Sequence, residues 1–63
     1  MKRDKLRAII VERGKTQGEV AKMLGITPKT FYTKMKKGVF GTDEVKKMVD
    51  LLDIENPVDI FLG

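Results

Sequence analysis

The 63-residue chain has no cysteine, no histidine and no tryptophan, and its aromatic residues are one tyrosine and three phenylalanines. Without cysteine there is neither a disulfide framework nor a thiolate metal site, and without histidine the commonest general base and zinc ligand are missing. The apolar run at residues 8–11 is too short for a signal-peptide core or a membrane span. We therefore expect a cytoplasmic protein with no enzymatic activity, no metal and no cofactor.

Acidic residues are scarce in the first part of the chain. Residues 1–38 contain eleven Lys and Arg against three Asp and Glu, a net charge of +8, whereas residues 39–63 carry −4. A domain polarised in this way is steered toward a polyanion and oriented on it. Uneven charge also occurs on ordinary solvated surfaces, so charge alone leaves nucleic-acid binding and a surface without function equally open.

The apolar residues recur at helical spacing, without the alternation of a strand, and predict five short helices. We expect a compact all-α fold in one domain, residues 1–63, because the chain is short enough for a single core. The expected helices lie at about residues 3–13, 17–24, 28–37, 43–52 and from 57 onward. The expected core residues share inward helical faces or plug loops: Leu6, Ile9, Ile10, Val20, Ala21, Leu24, Ile26, Phe31, Met35, Val45, Met48, Val49, Leu52 and Ile54.

Capping residues mark where several of these helices begin and end. Gly14, Gly25 and Gly38 stand where a left-handed residue ends each of the first three helices. Thr42 is expected to cap the fourth helix, and Asn56 precedes a proline at the first position of the fifth.

The second and third helices carry the clearest start signals. Thr16 and Glu19 stand at capping-box spacing, and Thr27 followed by Pro28 is a typical N-cap and first helical residue. Two short helices joined by a tight turn, the second basic and well capped, predict a helix-turn-helix over about residues 16–37. The second helix of such a pair, here residues 27–37 with the cap included, enters the major groove of DNA.

Residues 16–27 read Thr-Gln-x-Glu-Val-Ala-x-x-Leu-Gly-Ile-Thr, and residues 31–38 read Phe-Tyr-Thr-Lys-Met-Lys-x-Gly, with Phe40 and Glu44 further on. These segments resemble the Cro and repressor type of helix-turn-helix, the lambda-repressor-like DNA-binding domain, and within it the phage-repressor branch. The resemblance extends from residue 6 to residue 62. It implies a five-helix fold and a phage or bacterial repressor of Cro-like type that regulates transcription as a homodimer on double-stranded operator DNA.

Two positions depart from the family pattern. Lys34 stands where many members have an apolar residue, and we expect Met35 to take the core position instead. Pro28 stands where the family often has a polar residue that reads a base. Because proline has no side-chain donor, Pro28 can touch a thymine methyl group but cannot make a bidentate contact.

Eight residues on the second and third helices are candidates for DNA contacts: Gln17, Thr27, Pro28, Lys29, Tyr32, Thr33, Lys36 and Lys37. Lys29 is the best candidate for reading a base, because lysine can donate to guanine O6 and N7, but a phosphate contact is equally compatible with its position. The resemblance implies that Gln17 approaches a phosphate. Tyr32 either packs on a thymine methyl group, donates to a phosphate or supports the fold, and Thr33 can reach a base edge through its hydroxyl or methyl group. Lys36 and Lys37, at the end of the third helix, either contact phosphates or remain solvated.

The apolar group Ile60, Phe61 and Leu62 has two interpretations: it closes the core against the first helix, or it forms a dimer contact. A palindromic operator requires a two-fold protein whose recognition helices are about 34 Å apart. The basic residues at positions 2–5 either form an arm or keep the N-terminus soluble, and we assign them no site.

A protein-interaction module, such as an antitoxin or a modulator, is the alternative function for the same fold. Its acidic residues, concentrated in the second part of the chain, and the apolar end Ile60, Phe61 and Leu62 would then hold a protein partner. Because the chain is occupied by the DNA-binding fold, we expect either a Cro-like regulator or the N-terminal domain of a longer repressor.

Overall fold

The computed structural model describes residues 1–63 and contains five α-helices and no strands. The helices are α1 (Arg3–Glu12), α2 (Gln17–Leu24), α3 (Pro28–Lys37), α4 (Thr42–Leu52) and α5 (Pro57–Phe61). The predicted all-α architecture of five helices is confirmed. None of these helices is long and apolar enough to cross a bilayer.

The first helix is one residue shorter than predicted. It ends at Glu12, and Arg13 is its C-cap residue. The guanidinium of Arg13 instead donates hydrogen bonds to the carbonyl oxygens of Leu52 (2.7 Å) and Asp53 (3.2 Å), at the end of α4. A cation at this position satisfies carbonyl groups that have no partner within their own helix.

The predicted N-cap of the fourth helix was wrong by one residue. Gly41 is the N-cap, and Thr42 is already the first helical residue. The N–H of Gly41 donates a hydrogen bond of 2.7 Å to Oε1 of Glu44, three residues later. A glutamate that reaches back in this way orients the start of a helix even where the N-cap residue has no side chain.

The core is a cluster of eleven buried residues, all hydrophobic, and every helix contributes to it. Its members are Leu6, Ile10, Val20, Ala21, Leu24, Phe31, Met35, Met48, Leu52, Ile54 and Ile60. Met35 takes the core position as predicted, whereas Ile9, Ile26 and Val49 are only partly buried against the cluster. Val45 is also half-buried, because a core this small leaves the edges of its helical stripes near solvent.

The turn between α2 and α3 sets how the two helices cross. Gly25 has φ 78° and ψ 24°, a left-handed conformation that glycine adopts without steric cost. Its N–H donates to the Lys22 carbonyl and the Ile26 N–H to the Ala21 carbonyl, each at 3.0 Å, which satisfies the end of α2. The fully buried Ala21 has only a methyl group, so its side chain leaves room for α3 to approach.

Candidate nucleic-acid interface

The helix α3 is anchored to the core along one face and is exposed along the other. Phe31 and Met35, one turn apart, are buried. At the N-terminus Thr27 Oγ1 accepts a hydrogen bond of 3.2 Å from the Thr30 N–H, and Pro28 is the first helical residue. These caps confirm the predicted start of the helix and satisfy the backbone groups of its first turn.

The exposed face of α3 is basic and carries no acidic residue. Residues 20–42 contain five lysines and no aspartate or glutamate. Tyr32 is 51% exposed, and its ring lies edge-on to that of Phe31 with centroids 6.5 Å apart. The Thr33 hydroxyl donates a hydrogen bond of 3.0 Å to the Lys29 carbonyl, so its methyl group and oxygen lone pairs remain for an external partner.

The predicted DNA-contacting residues lie on two sides of α3. Gln17, Tyr32 and Lys36 line one groove, of about 230 Å³, on the side that faces α1. Lys29, Thr33 and Lys37 line a second hollow, of about 420 Å³, which shares no lining residue with the first. A helix with donors on both flanks can contact the phosphates of both strands while its outermost residues face the bases.

The starts of α2 and α3 lie beside each other. A Cβ atom placed on Gly18 would be 4.0 Å from Cγ of Pro28, so the first turns of the two helices are in van der Waals range. Thr16 caps α2 and forms the predicted capping box with Glu19, with hydrogen bonds of 2.9 and 3.1 Å. This arrangement places Thr27 and Pro28, both exposed, next to Gln17 at one end of the basic face.

The first helix contributes two arginines that sequence reasoning did not assign to the site. Arg3 and Arg7 line the same groove as Gln17, Tyr32 and Lys36. The Nη1 atom of Arg3 donates a hydrogen bond of 2.7 Å to the Lys36 carbonyl in the last turn of α3. The sequence feature that could have indicated their joint position is the spacing of four residues between Arg3 and Arg7, which places both on one face of α1.

Lys34, which also lines the second hollow beside α3, is engaged in an ion pair. Its Nζ atom donates to Oε2 of Glu44, on α4, at 2.6 Å. The hydrogen bond from Lys34 lowers the pKa of the Glu44 carboxyl, and the N–H of Gly41 adds to this effect, while partial burial opposes it. The lysine at this position therefore joins two helices.

Lys2 and Lys5 at the basic start of the chain face α5 and are paired there. Their Nζ atoms lie 2.8 and 2.7 Å from the two carboxylate oxygens of Asp59. Hydrogen bonds from both lysines lower the pKa of Asp59 from 3.8 to about 2. These two cations are thus paired with a carboxylate on α5, whereas Arg3 and Arg7 line the groove between α1 and α3.

The two crossed helices, the glycine turn and the exposed basic α3 define a helix-turn-helix DNA-binding domain. Residues 12–38 match the family model described as bacterial regulatory protein, Fis family, a segment that includes all of α2, the turn and α3. The match covers less than half of the chain, and it supports a DNA-binding transcription regulator domain. No curated protein and no solved structure matches the chain.

Proposed function

We propose that the protein is a sequence-specific transcription regulator, a repressor of Cro-like type from a phage or a bacterium, that reads operator DNA with α3. The observation that carries this proposal is the geometry of α3, whose buried Phe31 and Met35 leave a capped, acid-free, basic face in solvent. A face of this kind matches the major groove in shape and charge. A DNA ligand would also place the protein in the cytoplasm at the nucleoid.

The exposed residues of α3 take different roles in this proposal. Lys29 donates to guanine O6 and N7, and Thr33, one turn further on, meets a base edge. Tyr32 packs its ring on a thymine methyl group or donates its hydroxyl to a phosphate. Pro28 offers only an apolar contact to a thymine methyl group. Lys36, which lines the first groove, and Lys37, which lines the second hollow, contact phosphates, which position the helix without specifying sequence.

The residues at the start of both helices hold the protein against the backbone. The N–H groups of Gln17 and Gly18 make no hydrogen bond within the protein, and the first turn of α2 attracts anions. Gln17 and Thr27 are exposed enough to reach a phosphate from this end. A phosphate beside the two helix starts would fix the angle at which α3 enters the groove.

A homodimer is the second part of the proposal, because a palindromic operator requires a two-fold protein. Leu62 is 80% exposed and, with Phe61 and the exposed Val39 and Val58, lines an apolar groove of about 390 Å³. Ile60, in contrast, is only 4% exposed and belongs to the core. Of the three predicted dimer residues, Phe61 and Leu62 can therefore contact a second copy.

The experiment that tests this function is selection from a library of random duplexes, followed by sequencing, at about physiological salt. The expected result is a palindrome whose half-site centres are separated by about one helical turn. A variant with Lys29 and Thr33 both replaced by alanine should recover an altered motif or none, and a Lys46→Ala variant, changed on α4, should recover the original motif. Recovery of no motif by the unmodified protein would contradict the proposal.

A protein-interaction module remains the alternative, and one observation favours it. Asp43, Asp50, Asp53 and Glu55 make no ion pair and lie exposed on α4 and the loop that follows. A basic protein could bind there while α3 stays free. Binding of such a partner would persist in the Lys29 and Thr33 double variant, whereas DNA binding would be lost.

A further inference from the structure

A polar groove between α1 and α3 collects three cationic side chains. Arg3 and Arg7 line it from α1, Tyr32 and Lys36 from α3, and Gln17 from the start of α2. Its volume is about 230 Å³, and no carboxylate lines it. The groove thus brings together Arg3 and Lys36, which are 33 positions apart in the chain and are joined by the hydrogen bond from Arg3 to the Lys36 carbonyl.

The positive charge in this groove is largely uncompensated. Lys36 makes no ion pair, and Arg3 uses its Nη1 atom on a neutral carbonyl. Arg7 has one carboxylate partner, Asp4, at 3.1 Å, but the Asp4 side chain is 97% exposed. An exposed pair of this kind contributes little energy and exchanges readily for another anion.

The chemistry of these groups suits a phosphodiester. Guanidinium groups present planar sets of donors that match two phosphate oxygens, and the Tyr32 hydroxyl and Gln17 amide add neutral donors. Tyr32 and Lys36 are one turn apart on α3, so an anion in the groove would lie along the flank of that helix. When a helix lies in the major groove, the sugar-phosphate backbone runs along its flanks.

We propose that this groove binds a phosphate of the DNA backbone, with Arg7 as its principal donor, and that α1 is therefore part of the DNA-binding surface. The inference rests on the proposed function, since it assumes that α3 enters the major groove. It extends that function beyond the helix-turn-helix to an arginine pair on another helix. Arg3 has a double role, because it also satisfies a carbonyl at the end of α3.

The test compares the Arg7→Ala and Lys46→Ala variants of the full chain by fluorescence anisotropy. Each variant removes one positive charge, but Lys46 lies on α4 and does not line the groove. Affinity is measured over about 50 to 200 mM salt, for the selected operator and for a scrambled duplex. Thermal unfolding followed by circular dichroism establishes that both variants are folded.

For Arg7→Ala, the slope of log affinity against log salt should become shallower by about 0.9, the value for one phosphate contact on duplex DNA. Affinity should fall by about tenfold on both duplexes, because a phosphate contact carries no sequence information. The Lys46→Ala slope should stay at the wild-type value. Equal slopes for the two variants, with specific binding intact, would overturn the role of Arg7 and leave the proposed function standing.

Duplexes with a single neutral methylphosphonate linkage locate the contact. At one position along the backbone the neutral linkage should weaken binding of the wild-type protein but have no further effect on Arg7→Ala. If Arg7 acted only by stabilising the fold, every linkage would have the same effect on both proteins, and the inference would be wrong. Failure of the unmodified protein to bind any duplex would overturn both the inference and the function on which it rests.

Discussion

The Nζ atom of Lys34 lies 2.6 Å from Oε2 of Glu44, and this pair connects the last turn of α3 to the first turn of α4. The Glu44 side chain is only 14% exposed, and its other oxygen accepts the N–H of Gly41 at 2.7 Å. The Glu44 carboxylate thus binds the C-terminal turn of α3 through Lys34 and the end of the following loop through Gly41. The position of α3 against the core depends on this connection as well as on Phe31 and Met35.

Replacing Glu44 should destabilise the fold more than replacing the adjacent Asp43. Glu44→Ala removes the ion pair and the bond to the Gly41 N–H, and we expect the free energy of unfolding to fall by about 1–3 kcal/mol. Glu44→Gln should cost less, because an amide oxygen still accepts from Gly41. Asp43→Ala, a control in the same turn whose side chain makes no hydrogen bond, should cost less than about 1 kcal/mol in urea unfolding. Equal losses for Glu44→Ala and Asp43→Ala would contradict the role of the pair.

Stability should decrease in acid, and Asp59 should account for part of the decrease. Because hydrogen bonds from Lys2 and Lys5 lower its folded-state pKa from 3.8 to about 2, the carboxylate form favours the folded state. The contribution is complete above pH 3.8 and is lost as the pH falls toward 2. The melting temperatures of the wild type and Asp59→Asn should therefore converge between about pH 5 and about pH 2. Parallel curves over this range would show that the pairing does not contribute to stability.

A side chain at Gly25, in the turn between α2 and α3, should lower the stability of the fold. Although a Cβ atom there would meet nothing within 4 Å, φ is +78°, and Gly25→Ala should cost about 1–2 kcal/mol from backbone strain alone. Gly18→Ala is the matched control. Its Cβ would have ordinary contacts at 3.8 and 4.0 Å, so alanine should stabilise α2 by about 0.5–1 kcal/mol. Thermal unfolding of the two variants should give shifts of opposite sign.

Lys29 and Lys36 should differ in their effect on DNA sequence preference. If Lys29 donates to a guanine, Lys29→Ala should reduce discrimination at one base position by about 1–3 kcal/mol. Lys36→Ala should weaken binding to all sequences by a similar factor, because phosphate contacts are not base-specific. Repeating the duplex selection with each variant distinguishes the two effects. A motif that is unchanged in Lys29→Ala would show that Lys29 does not read a base.

Leu62 should matter for association and not for folding. Its exposure predicts that Leu62→Ser leaves the melting temperature of the monomer nearly unchanged. If the apolar groove beside it is the dimer contact, the same change should weaken self-association in sedimentation equilibrium and reduce cooperativity on a palindromic duplex. Val11→Ser, at another exposed apolar residue that does not line the groove, provides the control. Identical association of the two variants would exclude Leu62 from the interface.

Much of the fold could be predicted because its signals are local. The capping box of Thr16 and Glu19, the Thr27 cap and the left-handed glycines each act over three to five residues, and the structure confirms them. The start of α4 was misassigned because Thr42 is a good N-cap residue by type. Gly41, three residues before Glu44, is the N-cap instead, because its N–H donates a hydrogen bond to the Glu44 carboxylate.

The candidate site could be predicted only in part, because some of its residues lie on a helix that is distant from α3 in the sequence. The residues on α3 follow from the periodicity of one helix, since burial of Phe31 and Met35 leaves the remaining faces in solvent. Arg3 and Arg7 belong to another helix, and nothing in their local sequence indicates that they face α3 while Lys2 and Lys5 face α5. That distinction depends on how α1 packs across the core.

The sequence by itself determined the five helices, most of their caps, most of the core and the basic face of α3, because helical periodicity and capping are properties of neighbouring residues. Only the tertiary structure decided which charges are paired and which are free. Lys34 meets Glu44 and Lys2 meets Asp59 across separations of 10 and 57 residues, while the α1 arginines meet the flank of α3. The tertiary structure also decided that Ile60 is buried and Leu62 is exposed. These outcomes depend on the angles at which helices cross, and those angles are fixed by side-chain packing in the shared core.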